Sequence, residues 1–365
     1  MDTNVLNEAR RLADEIFRPK AEESDRGDIH GIVGSNIRLL ADAGYFGLGI
    51  DPKYGGFGAG DAARREYAEL IASACGVTAF TQQQLHSGGG FFGGAQDQEA
   101  RAEMLPKFAA GELLCGVGFS HLRRPGPPMV TARKVDGGVI VSGSAPWVTG
   151  WSILDGFVLG AVEEGNAKHM FIYVAKAGNE NKVTAGAPMA LLAMNASDTV
   201  EVAIDDLFVP QRFVLSERPA EAMRRADFCG ITGHVYLPLG CARGSIHYMR
   251  SLAEKRNSPE IAEAANAFEC EVDACRAEAL RWNGSCADLP EYKEHAMHAR
   301  TWAIVLSVRA AHAAVAATGG AAQLLTSPAQ RLMREATFLT TIAQTEDVRI
   351  GTLDMLVSPD CWHVE

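Results

Sequence analysis

The sequence predicts an α+β protein in three parts: a helical N-terminal domain over 1–112, a middle β-barrel-like domain over 113–212, and a C-terminal four-helix bundle over 213–365. Three changes of pattern predict it. In 8–17, 34–43, 62–74 and 99–109 apolar residues recur at three-to-four spacing, the period of helices with one buried face. From 113 to 212 short alternating segments take over, at 130–135, 138–142, 156–162, 170–175 and 199–204, with Gly, Asn and Asp between them. After Pro210 the long alanine-rich segments 231–255, 258–280, 290–317 and 328–356 return to helical period, long enough for an antiparallel bundle. The stretch from His86 to Gly94 is too glycine-rich for a regular helix throughout and reads as a helix junction or a loop facing a pocket.

A chain of 365 residues is long for one core and fits two or three packed subdomains. Its 47% hydrophobic and 22% charged residues belong to a folded chain rather than a disordered one. The net charge of −11, without any long Lys/Arg run, gives a phosphate backbone no broad attraction, so nucleic acid is not an expected partner. No run of 18 apolar residues appears and the amino terminus lacks a basic, then apolar, leader; a cytoplasmic protein without a membrane partner is expected. Eight scattered cysteines (75, 115, 229, 241, 270, 275, 286 and 361) form no Cys-x-x-Cys pair, which predicts reduced or buried thiols and no metal site.

The stretch from Gly143 to Gly150 closes the strand residues Val139, Ile140 and Val141 with Trp147-Val148-Thr149, an aromatic and a hydroxyl at one turn. That pairing suits a flat redox cofactor. It resembles the acyl-CoA dehydrogenase family, in which such a turn lies against the flavin and its hydroxyl reaches N5, the atom that takes up hydride. Trp147, Val148 and Thr149 are the implied contacts.

The resemblance recurs in order along nearly the whole chain. Gly44–Leu48 followed by Pro52-Lys53-Tyr54-Gly55-Gly56-Phe57-Gly58 is similar to the family's connection after the first helices, and Leu105–Glu112 to its lead into the β-domain. Val200–Pro210 is similar to the closing strand, Thr318-Gly319-Gly320-Ala321 to a glycine turn, and Pro328–Ala336 to the helix before the active-site segment. The resemblance implies FAD, an acyl thioester substrate, an electron-transfer flavoprotein as oxidant, and a homodimer or homotetramer, with a heteromer as a further form.

Dehydrogenation at Cα–Cβ needs a carboxylate base near a weakly acidic Cα proton. Laying Leu332–Ala336 on the family's matching helix puts Ile342-Ala343-Gln344-Thr345 on its base-bearing segment, so the expected base is Ala343 and Thr345 is an implied cofactor contact. Some members carry the base on the first helix of the second α-domain; here Gly230 and Ile231 fall at that place. Neither methyl nor hydrogen accepts a proton. The catalytic residue is therefore unassigned, with Asp227, His234, Glu346 and Asp347 as nearby candidates, each also readable as a surface or capping group.

Other contacts differ as well. The loop implied to hold flavin and phosphate reads Ser120-His121-Leu122-Arg123-Arg124, keeping only the Ser120 hydroxyl, and Arg256 stands alone where a diphosphate clamp is implied, with Gly319 and Gly320 retained. His121, Arg123 and Arg124 read either as a solvated basic loop or as substitutes for lost phosphate contacts. Three readings stay open: an oxidoreductase acting on the CH–CH group of an acyl thioester; a flavin-dependent monooxygenase of the same superfamily, with His86, His121 or His234 near oxygen; and a catalytically degenerate partner subunit or flavin-free homologue.

Overall fold

The structure, a computed structural model, describes residues 2–358; Cys361 lies outside the described residues. Its N-terminal domain carries α1 (Asp2–Arg11), α2 (Ala21–Arg26), α3 (Gly34–Asp42), α4 (Asp61–Ala74), α5 (Gly76–Gly93) and α6 (Gln98–Ala109). The helix expected at 8–17 starts earlier and widens into a π-helical turn over Leu12–Phe17. Asp97 caps α6 by accepting the Ala100 N–H at 2.8 Å.

The glycine-rich stretch corrects the sequence reading. It is not a junction: α5 runs through it to Gly93. Gly88 lies against the carbonyls of Cys115 and Gly116, and Gly89 against the Phe108 ring, so close that a Cβ on either would collide. Packing tight enough to need a bare backbone outweighs the helix cost of glycine, about 1 kcal/mol each.

The middle domain holds β1 (Cys115–Gly118), β2 (Val130–Val135), β3 (Gly138–Val148), β4 (Gly156–Glu163), β5 (His169–Ala175), β6 (Val183–Ala185), β7 (Val200–Pro210) and β8 (Val214–Arg218). They form one sheet in the order β6-β7-β3-β2-β4-β5-β8, with β1 parallel to β4. β4 is buried along nearly its whole length, whereas β7 alternates buried and exposed residues, so one face of the sheet meets solvent at that end. The expected boundary at 212 falls short, because β8 pairs with β5 and carries the domain to Arg218. Its five residues are too short, and too polar at Glu217 and Arg218, to stand out from the following helix by pattern.

The C-terminal part comprises α7 (Ala220–Cys229), α8 (Tyr236–Arg256), α9 (Pro259–Arg281), α10 (Tyr292–Thr318), α11 (Pro328–Leu339) and α12 (Glu346–Val357). The fourth bundle helix, expected unbroken over 328–356, is split by the turn at 340–345, where Ala343 takes a left-handed φ of 48°. The chain from Ile231 to His234 is a 3₁₀ turn rather than the start of α8. α10 is apolar enough to pass as a membrane span by composition, yet half of that window is buried within the protein. Arg331 pairs with Glu335 at 2.8 Å and with Glu22 at 3.0 Å, fixing α11 against α2. Cys75, Cys115, Cys241 and Cys275 are buried thiols, as expected.

Candidate functional site

The Trp147-Val148-Thr149 turn ends β3, where the ladder to β7 shifts register between Ala145 and Val148 and re-aims the side chains. Trp147 is 41% exposed, Val148 is buried, and Thr149 is 4% exposed. The Thr149 hydroxyl lies 2.9 Å from that of Thr199, which lies 2.9 Å from that of Ser197. Thr199 has one proton for two neighbours, so this chain has two orientations. When Thr199 donates to Thr149, the Thr149 proton is left for an outside acceptor. Gly150 donates to the Ser197 carbonyl at 2.8 Å and the Ser152 N–H to the Asp198 carboxylate at 2.6 Å, which locks the turn.

Residues expected at the phosphate end do not converge. Ser120 is exposed on a 3₁₀ turn after β1. His121 is buried, its Nε2 2.9 Å from the Gly160 carbonyl oxygen, and Arg123 forks onto Asp227, so of the three basic residues Arg124 alone is turned outward without a carboxylate. Arg256 donates to the carbonyls of Ala317 and Thr318 at 2.6 and 3.0 Å and caps α10. Gly319 and Gly320 are exposed, with open space where a side chain would stand. Within this protomer Arg256 acts as a helix cap.

The base segment is different. Of the base positions read from the sequence, Ala343 and, from the alternative pair Gly230 and Ile231, only Ile231 line one cavity of about 10 Å³, the room of a single water. Asp227, His234 and Thr345 line it too, whereas Glu346 and Asp347 sit exposed on the first turn of α12, Asp347 3.4 Å from Lys293. Thr345 caps α12 by accepting the Val348 N–H. Both Asp227 oxygens are held by Arg123, at 2.8 and 2.7 Å. Burial, and then the charges of Arg300 and Arg123, push the His234 imidazole down to about 4, so it is neutral at pH 7 and a poor proton acceptor. None of these groups is a poised general base.

The sequence reading missed Arg300. It lies in the middle of α10, 1% exposed, donating to the carbonyls of His234 and of Ile342, the latter at 2.7 Å. Its only signal was a charge set among the alanines and β-branched residues of an apolar helix.

A second cavity, about 220 Å³, opens between α4, α5 and α8 and is lined by Phe46, Tyr67, Ile71, Gln82, His86 and Leu237. Tyr67 donates to the Gln82 side chain at 2.7 Å, and His86 Nε2 lies 2.9 Å from the Tyr45 carbonyl oxygen. Gly89 and Gly90 border the cavity, so the glycine stretch does face a pocket, though from within a helix.

Residues 2–112 match the model of the acyl-CoA dehydrogenase N-terminal domain. The chain is 27% identical over 327 residues to an acyl-CoA dehydrogenase of Bacillus subtilis (strain 168), covering 82% of this chain and 83% of that one. It is 25% identical over 221 residues to the mitochondrial isovaleryl-CoA dehydrogenase of Solanum tuberosum, covering 57% of this chain; there the match spans only 52% of the relative's length. Its fold superposes on butyryl-CoA dehydrogenase from Megasphaera elsdenii with a TM-score of 0.83 at 18% identity, covering 98% of each chain. Dibenzothiophene monooxygenase from Paenibacillus sp. A11-2 shares the fold, with a TM-score of 0.79 at 17% identity over 97% of each chain. The N-terminal residues thus match the acyl-CoA dehydrogenase N-terminal domain, and the three-part fold is the one these solved structures share.

Proposed function

We propose that the protein is an FAD-dependent oxidoreductase that acts on the CH–CH group of an acyl thioester, with Ala343 in place of the usual carboxylate base. The observation that carries this is the meeting of Ala343 and Ile231 in one cavity, which brings together the two segments to which the resemblance assigns the base. Bound FAD would accept the hydride. Trp147 offers an exposed flat ring to the isoalloxazine, the Val148 segment its backbone, and Thr149 a proton in one orientation of its hydroxyl chain. Those residues fit the ring. The diphosphate end finds only Ser120, and Arg256, Gly319 and Gly320 serve it only when a second copy brings them to the β-domain, whereas Thr345 already lies beside Arg123 in the Ala343 cavity.

The 220 Å³ cavity is smaller than a drug-sized site and mostly apolar, which suits a short acyl group. A second copy of this chain is the partner that fits the exposed apolar residues of α12, Ile350, Leu353, Leu356 and Val357, in a homodimer or homotetramer. An electron-transfer flavoprotein is the proposed oxidant. Titrating apoprotein with FAD and following flavin absorbance and fluorescence tests the reading: saturable binding is expected, and a colourless protein that cannot be reconstituted as a dimer sinks it in favour of a flavin-free homologue.

A further inference from the structure

Arg300 has no ion-pair partner among the described residues; the carboxylate that shares its cavity, Asp227, is taken up by Arg123. Arg300 is 1% exposed, and its two observed bonds go to backbone carbonyls. Burying an ion without a counter-ion costs several kcal/mol, which two carbonyl dipoles offset only in part. Burial pushes the guanidinium down to about 10, which still leaves it cationic at neutral pH. Three neighbours point the same way. His234 Nδ1 is buried and has no partner. The first turn of α12, at Thr345 and Val348, brings the positive end of a helix to the same wall. Arg123 sits across the mouth, and its fork is filled by Asp227, both side chains being partly exposed (31% and 21%).

We propose that this cavity is a carboxylate-binding site, in which Arg300 and His234 Nδ1 hold one carboxylate of the ligand after Arg123 exchanges Asp227 for it. The ligand class, resting on the acyl thioester reading above, is an acyl thioester that carries a second, free carboxylate. The cavity sets the Ala343 methyl beside a buried cation, so the negative charge comes from the ligand. A planar two-oxygen group matches the arginine fork. At about 10 Å³ the closed cavity has room for one water, and a carboxylate enters only once the Arg123–Asp227 pair parts.

The test is calorimetric titration of the full-length protein, in chloride-free buffer and with no flavin added, with acetate, glutarate and inorganic phosphate. Saturable acetate and glutarate binding is expected, tightened about tenfold in Asp227→Asn, which frees the Arg123 fork, and lost in Ala343→Glu, which supplies an internal carboxylate. Arg300→Gln should also abolish it, and circular dichroism separates that loss from unfolding. The inference is overturned by no binding in either wild type or folded Asp227→Asn, by unchanged affinity in Ala343→Glu, or by phosphate binding as tightly as acetate. Because the readout needs no flavin, failed FAD binding would sink the oxidoreductase reading and leave this site standing.

Discussion

Arg123 and Asp227, 104 positions apart, join through two bonds of 2.8 and 2.7 Å and tie the turn after β1 to α7 across the mouth of the Ala343 cavity. A paired fork between two domains is more constrained than a lone surface pair, but both partners keep solvent contact. Arg123→Ala should therefore lower unfolding stability by no more than about 1 kcal/mol, while speeding hydrogen exchange of the 3₁₀ turn at 120–123 and of α7. A urea midpoint shifted by several kcal/mol would show that the pair is a core element rather than a clasp.

Ala343 holds φ at 48°, a conformation that costs a side-chain-bearing residue about 1 kcal/mol and glycine nearly nothing. Ala343→Gly is expected to stabilise the protein, or at least leave it unchanged, despite the looser unfolded chain. Chemical denaturation of the two proteins side by side measures it; a loss above about 1 kcal/mol would mean that the methyl packs against the cavity wall in a way its position does not suggest.

Two largely buried histidines make stability fall on mild acidification. Burial pushes both His86 and His234 down to about 4, against an unfolded value near 6.5, so both are neutral in the fold. Their contribution is fully present above pH 6.5 and is lost as pH falls from there to about 4, because the unfolded chain takes up protons that the fold refuses. For one such histidine the slope approaches about 1.4 kcal/mol per pH unit. Urea midpoints at pH 7.5 and 5 should diverge, and less so in His86→Gln; identical pH dependence in that variant would remove His86 from the account.

The three-part order and most helices were legible because their apolar period is long and repeated, as in 62–74 against the observed Asp61–Ala74. Strand β8 and the break at 340–345 were not, since five residues carry little periodicity and a left-handed alanine leaves no mark in composition. At the site, the motif matches pointed to Ala343 and to Gly230 or Ile231, of which the fold sets Ala343 and Ile231 on one cavity, while within the protomer Arg256 caps a helix end. Arg300 escaped because its function depends on what it lacks, a counter-ion, and only the folded neighbourhood shows that.

Gly90 borders the 220 Å³ cavity and has open space where a side chain would project. Gly90→Leu should raise helix stability by up to about 1 kcal/mol through propensity alone while obstructing the cavity mouth. Acyl-CoA binding by the variant should weaken as thermal stability holds or rises. Unchanged affinity across short acyl chains would place the acyl group elsewhere.

The same charges that define the Ala343 cavity limit what a restored base can do. Ala343→Glu places a carboxylate opposite Arg300 and Arg123, and neighbouring cations favour its ionised form, lowering its hold on a Cα proton. A positioned general base contributes roughly 10²–10⁴ in rate, so the single variant should recover only the lower part of that range with acyl-CoA and an artificial electron acceptor. Adding Arg300→Gln removes the buried cation while keeping one amide donor for the carbonyls of His234 and Ile342, and should raise turnover further and move the rate profile to higher pH. If the double variant is slower than Ala343→Glu at every pH although it folds and binds FAD, Arg300 acts on the reaction through the loop it staples, not through its charge.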